Sequence, residues 1–225
     1  MTTAAHEQAH HALNTMFLRK CASMNGLHLE LQVMGQVAIT SNGVTKKPDQ
    51  SYRPTVLPQT RSDRWPTVVI ECAYSQNRSK LAEDARWWLL EAGGAVKTAL
   101  NITVHETERE VTIENWESIP RGTRQDENKK VAEITQRVVM SQKTVNDPIR
   151  VTGYPLTLPF EHFFLRPANP GEGDIVLDNS DMETIAKLVW NIPRFKMPGT
   201  KLTTSLRSAR KREQHSLNIS TLAME

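Results

Sequence analysis

This chain of 225 residues carries only two cysteines, Cys21 and Cys72. One falls in a helix-like stretch and the other in a strand-like one, without metal-type spacing between them. A disulfide framework and a cysteine zinc site are both excluded, and a reduced, intracellular protein is expected. Long apolar runs are missing too. None approaches the roughly 20 residues that span a bilayer, so no membrane partner is expected. The opening MTTAAHEQAHHALNTMF is broken by polar residues throughout and contains no apolar export segment, which points to the cytoplasm or nucleus and away from secretion. No glycine-rich phosphate loop and no G-x-S-x-G turn occur, and Ser75 has no identifiable histidine partner. P-loop and serine-hydrolase chemistry are therefore set aside. No internal repeat is present.

With 38% hydrophobic and 24% charged residues, the composition is that of a chain able to build a core. The net charge of +3 is too small to mark a nucleic-acid partner by itself. Its distribution says more. Arg194, Lys196, Lys201, Arg207, Arg210, Lys211 and Arg212 follow one another without an acidic residue between them. Such a stretch attracts phosphate, and it also fits a solvated tail. One domain over residues 1–192 and a basic, flexible tail over 193–225 are expected. LRSARKR, residues 206–212, has the composition of a nuclear address.

Residues 6–24 read as a helix, with Ala9, Leu13, Met16, Phe17 and Cys21 near helical spacing and Asn25-Gly26 as the stop. Residues 27–40 alternate as a half-buried strand, with Gly35 as a bend, and Ser41-Asn42-Gly43 is turn chemistry. KKPDQSYRP, residues 46–54, reads as a polar segment, and 55–64 as a basic loop. The unbroken Val68-Val69-Ile70 run predicts a strand covered on both faces from Thr67 to Cys72. Ser79 is a candidate N-cap for a helix over 80–92 that ends at Gly93-Gly94. A strand over 95–104 completes a strand–helix–strand unit, for which parallel pairing is favoured. Residues 110–116 supply a hairpin partner and 121–130 a charged loop. Residues 131–142 fit strand better than helix. An extended segment over 154–160, a short strand over 174–177 and a helix over 181–191 capped by Ser180 follow.

One stretch, RWPTVVIECAYSQNRSKLAEDARWWLL at residues 64–90, places a carboxylate, Glu71, at the end of an apolar strand. Asp49 lies 22 residues earlier, after Pro48. That separation allows a strand, a loop and a return to a neighbouring position. Carboxylates on adjacent strands, about 4.8 Å apart, can share one ion. Both also fit ordinary chemistry, since Asp is common after Pro in turns and strands often end where polarity begins. Trp88 belongs with Leu81 and Ala85 on an apolar helix face, so core packing outweighs base stacking. His6 and His10 have the i, i+4 spacing of metal ligands, but a fraying terminus, with no Glu-x-x-His pairing read in its support, argues against a site there.

The order helix, strand, Pro-Asp, strand ending in Glu, helix, strand resembles the restriction-endonuclease-like PD-(D/E)xK superfamily. KKPDQSYRP, WPTVVIECAYS, KLAEDARWWL, VKTALNITV and YPLTLPFEHFFLR with its following DIVL look like a group of small, mostly uncharacterised fungal members. The likeness covers about residues 6–192. It implies an α/β (α+β) fold with a helix-strand-strand-strand-helix-strand core and extra C-terminal strands and a helix. It also implies metal-dependent hydrolysis of phosphodiester bonds in DNA or RNA. Asp49, Glu71 and the Cys72 carbonyl would hold Mg2+, which takes oxygen ligands. Where the family motif has lysine, this chain has Ala73, so Lys80 or Gln76 from the following helix would replace it. Glu7 is the only acid in residues 1–29 available for the first-helix position of the family. Arg53, Arg61 and Arg64 would neutralise phosphate. The missing lysine leaves open a catalytically inactive relative that binds nucleic acid or a protein partner, or a fold reused in a protein assembly.

Overall fold

The computed structural model describes residues 4–105, 107–192 and Phe195. The expected basic tail lies otherwise outside them. Helix α1, Ala4–Ser23, comes first. The short strands β1 (Leu31–Val33), β2 (Ile39–Ser41), β3 (Val44–Lys46) and β4 (Gln50–Pro54) follow. Strand β5 (Val68–Tyr74), helix α2 (Arg78–Glu91) and strand β6 (Thr98–Val104) form the expected unit, and β6 pairs with β5 in parallel. The long strands β7 (Arg109–Pro120) and β8 (Lys130–Gln142) form a hairpin, so 131–142 is strand as its branched residues predict. Strands β9 (Arg150–Thr152) and β10 (Leu156–Leu158), helix α3 (Phe160–Phe164), strand β11 (Ile175–Leu177) and helix α4 (Asn179–Trp190) complete the chain.

Seven strands make one mixed sheet in the order β1-β4-β5-β6-β7-β8-β9, antiparallel except for β5–β6. Helices cover both faces, and strand alternation decides which side each residue joins. Val68, Ile70 and Cys72 pack in the larger core with α1 and α4, against Leu13, Phe17 and Trp190. Val69 packs in the smaller core under α2, with Ala85, Trp88 and Leu89. The two-sided cover explains why β5 is an unbroken apolar run until Glu71. By the same alternation Glu71 follows Val69 onto the α2 side.

Several local expectations change. The supposed strand over 27–40 is interrupted. Residues 27–30 form a 3-10 turn after the left-handed Gly26, and Leu29 is 77% exposed, so its alternation did not signal a buried face. Gly35, with φ of +60°, breaks the chain again before β2. The polar segment 46–54 contains the end of β3 at Lys46 and the whole of β4, with residues 47–49 between them outside any strand. Asn42 and Gly43 both have positive φ, which suits a type I′ hairpin turn joining β2 to β3, and β4 is a sheet strand. Phe160 opens α3 rather than ending the extended segment. Helix α2 starts at Arg78 without a side-chain cap, so Ser79 does not cap it. Helix α4 is capped by Asp178 instead of Ser180: Asp178 and Asp181 exchange a reciprocal pair of 3.0 Å bonds, a capping box.

Candidate functional site

Antiparallel pairing of β4 with β5 sets Gln50 against Ile70, and the Asp49 N–H donates to the Ile70 carbonyl at 3.1 Å. Asp49 therefore stands level with Glu71 at the end of the two strands. The Cys72 N–H donates to Asp49 Oδ2 at 2.7 Å, and His6 Nε2 lies 3.2 Å from the same oxygen. Glu71 Oε1 accepts the Trp88 indole N–H at 2.6 Å. The two carboxylates are thus fixed by different elements, α1 and β5 for one and α2 for the other. None of the described hydrogen bonds uses Asp49 Oδ1 or Glu71 Oε2.

Both residues line an open cleft of about 570 Å3, together with His6, Lys46, Cys72, Lys80 and Asp84. Lys46 arrives on the β2–β3 hairpin. That hairpin is tied to α2 by Asn42 Nδ2 donating to Glu91 at 2.7 Å and by the Lys46–Asp84 ion pair. Its ammonium also sits 5.6 Å from the Trp87 ring centre. Burial lowers the Lys46 pKa, with the Glu71 charge working against that and Lys80 adding to it. Lys46, Lys47 and Lys80 thus share the cleft with Asp49, Glu71 and Asp84, and Lys46 is paired with Asp84.

Burial pushes the Glu71 carboxyl up to about 7; the Trp88 bond opposes this and the Asp49 charge adds to it. The Asp49 hydrogen bond raises His6, against the effect of burial. His10 is lowered, chiefly by burial, with the Glu7 bond opposing.

Of the residues singled out in the sequence, Asp49, Glu71, Cys72 and Lys80 come together in the cleft. Gln76 does not: it is exposed in the 3-10 turn of residues 75–77, outside the cleft lining. Arg53, Arg61 and Arg64 also lie outside that lining. Arg53 bonds Gln32 Oε1 at 2.7 Å and the Asp63 carbonyl, Arg61 the Trp65 and Pro66 carbonyls, and Arg64 the Thr40 carbonyl. These contacts tie the 55–66 loop to its surroundings. Glu7 faces three histidines, His6, His10 and His11, rather than Asp49. Trp88 is fully buried, as expected, but its bond to Glu71 is an addition.

Sequence reasoning missed Lys46 and set His6 aside. Lys46 lies three residues before Asp49 in a segment that reads from its sequence only as polar. His6 was discounted because its helix was expected to fray, whereas α1 begins at Ala4 and already buries Ala5, Ala9 and His10. The reading that no Glu-x-x-His pairing supports a site is also corrected, since His6-Glu7-Gln8-Ala9-His10 has His-Glu-x-x-His spacing.

No family model matches the chain, and no curated protein matches it. Among solved structures it is similar to the "putative nuclease belonging to DUF820" from Anabaena variabilis ATCC 29413, at 11% identity, with 84% of each chain covered and a TM-score of 0.39. Among the described residues, no helix is long and apolar enough to cross a membrane.

Proposed function

We propose that the cleft is a divalent-cation site for cleaving phosphodiester bonds in DNA or RNA. The observation that carries this reading is the convergence of Asp49 and Glu71, from neighbouring antiparallel strands, with Lys46 and Lys80 in one open cleft. The placement of α1, β4, β5, α2 and the parallel β6 supports the PD-(D/E)xK resemblance. The narrower likeness to small fungal members rests on the quoted segments alone.

The donor set suits Mg2+, which prefers oxygen ligands and needs only one or two carboxylates. Asp49, Glu71 and the Cys72 carbonyl would hold it, and a bound ion would polarise the phosphoryl oxygen and acidify the attacking water. The chain supplies the rest. Trp88 and the Cys72 N–H fix the two carboxylates, while Lys46 and Lys80 neutralise charge on the phosphate. Lys46 joins Lys80 as a substitute for the lysine absent at Ala73, and Gln76 is the weaker candidate because it lies outside the lining. Arg53, Arg61 and Arg64 remain proposed outer contacts to the nucleic-acid backbone.

A second reading, an inactive relative that binds nucleic acid or protein, is favoured by two observations. Ala73 stands at the motif position, and both acids already have hydrogen-bond partners within the chain. Labelled single-stranded DNA, duplex DNA and RNA incubated with Mg2+ or Mn2+ separate the two. Cleavage lost in Asp49→Asn and Glu71→Gln supports the enzyme. Salt-dependent binding without cleavage under either ion supports the inactive relative, and absence of both refutes a nucleic-acid role.

A further inference from the structure

We propose that His6, Glu7 and His10, in the first turns of α1, form a transition-metal site of the zinc type, distinct from the Asp49–Glu71 pair. One ligand atom from each lies within 4.8 Å of the others. His6 Nδ1 is 3.5 Å from Glu7 Oε1, and His10 Nε2 is 3.0 Å from Glu7 Oε2. Zinc–nitrogen and zinc–oxygen bonds near 2.0–2.2 Å put tetrahedral ligand atoms about 3.4 Å apart. Two of the separations are already close to that value.

An ordinary histidine–glutamate hydrogen bond accounts for His10 Nε2, whereas His6 Nδ1 stands 3.5 Å from Glu7 Oε1 without forming one. That atom is buried and has no hydrogen-bond partner. The other ring nitrogen, Nε2, faces Asp49 Oδ2 at 3.2 Å. A proton held there by the carboxylate leaves a lone pair on Nδ1, on the side of Glu7. This is the arrangement in which a carboxylate orients a metal-bound imidazole. His10 is 3% exposed, and its own Nδ1 is likewise buried without a partner. Buried polar atoms without partners are uncommon enough to need a cause, and an ion at His6 Nδ1 supplies one. His11 Nε2, 3.9 Å from Glu7 Oε2 on a ring 59% exposed, stands at the rim as a fourth ligand or yields that position to water.

The chemistry of the set selects the ion. Two imidazoles and one carboxylate suit zinc and its neighbours, whereas magnesium favours oxygen alone. In peptidases of the His-Glu-x-x-His type the glutamate is a general base and not a ligand. Here Glu7 contacts both histidines and occupies a ligand position, so the site is one for holding metal rather than for cutting peptides. Through the His6–Asp49 contact, the ion would fasten the start of α1 to the margin of the cleft.

The test uses the full chain, stripped with chelator and titrated with Zn2+ against a chromophoric competitor, with metal content measured by mass spectrometry. One tightly held equivalent is expected, with Co2+ giving the visible bands of a low-symmetry nitrogen and oxygen site. His6→Asn and His10→Gln should each weaken binding at least about 100-fold, the upper end of what loss of even an outer-shell partner costs. His105→Gln should leave it unchanged. His6→Asn, on the less buried ring, carries the test if His10→Gln fails to fold. No stoichiometric zinc, or zinc retained at full affinity in folded His6→Asn, overturns the site. Zinc lost in Glu71→Gln while His6→Asn keeps it would place the ion in the cleft and overturn it equally. None of these outcomes decides whether the cleft cuts nucleic acid, which the cleavage assay reads separately.

Discussion

The Trp88 indole N–H donates to Glu71 Oε1 at 2.6 Å, between α2 and the sheet. Glu71 is 9% exposed, so its carboxylate has exchanged water for one strong donor and a short distance to the cleft. The indole is itself fully buried in the smaller core, against Val69, Ala85 and Trp65. A core tryptophan therefore orients the carboxylate that is proposed to hold the ion.

That burial has a sign. The Glu71 carboxyl is pushed from 4.5 to about 7, so the folded state holds its proton more tightly than the unfolded chain does. Its favourable contribution is present below about pH 4.5 and is lost as pH rises through 7. Glu71→Gln keeps the acceptor for Trp88 without the charge. Metal-free Glu71→Gln should be more stable than wild type by about 3 kcal/mol near pH 8, and close to it near pH 4.5, by urea denaturation. Equal stability near pH 8 would mean that the carboxylate is better solvated than its burial indicates.

Trp88→Phe retains much of the ring volume and removes the donor. A loss of about 1–3 kcal/mol is expected, larger near pH 8 than near pH 5, because the lost bond is to the ionised carboxylate. In a Glu71→Gln background the pH dependence of that loss should vanish. A double-mutant cycle at both pH values measures it.

Asp181 ties the two helices of the larger core together. It accepts from Arg19 at 2.5 Å and Lys20 at 2.6 Å on α1 while closing the capping box of α4, and it is 3% exposed. Burial raises its pKa, but the Lys20 bond and the Asp178 N–H outweigh that and leave it lowered. The contribution is therefore present above the unfolded value near 3.8 and is lost as pH falls through the folded one. Asp181→Ala should cost about 2–4 kcal/mol at pH 7, with the difference from wild type shrinking under acid. Thermal melts across pH check both.

How much of this was legible depended on how local the signal was. The strand at Val68–Tyr74, the helix after it and the parallel return at Thr98–Val104 were readable because apolar continuity and helical spacing follow directly from two-sided burial. Asp49 and Glu71 were paired through the resemblance that the order of elements carries, and the β4–β5 register sets them level. The Lys46 hairpin was not, because Ser41-Asn42-Gly43 announces a turn without saying that the returning strand lies across α2. The Trp88–Glu71 bond depends on strand alternation meeting helix phase, which no single segment encodes. Helix α1 was located correctly, but its ordered N-terminus rests on burial of Ala5 and Ala9 against distant elements. That contact made the difference between three stray histidines and a cluster.

Lys46 and Lys80 should both matter to phosphate. Lys46→Ala and Lys80→Ala are each expected to lower cleavage, Lys46→Ala by about 100-fold, as loss of a preorganised charge does. Each should also reduce the slope of log affinity against log salt by about 1 in binding assays. Unchanged slopes in both would remove the lysines from the interface.

The most direct measurement is single-turnover cleavage of labelled DNA and RNA by wild type and Asp49→Asn, side by side in Mg2+. Asp49→Asn preserves an oxygen for the Cys72 N–H but loses the charge that would hold the ion. The account predicts cleavage by wild type that chelator stops, and a fall of at least about 1,000-fold in Asp49→Asn. Cleavage that persists undiminished in the folded variant, or in chelator, would contradict it.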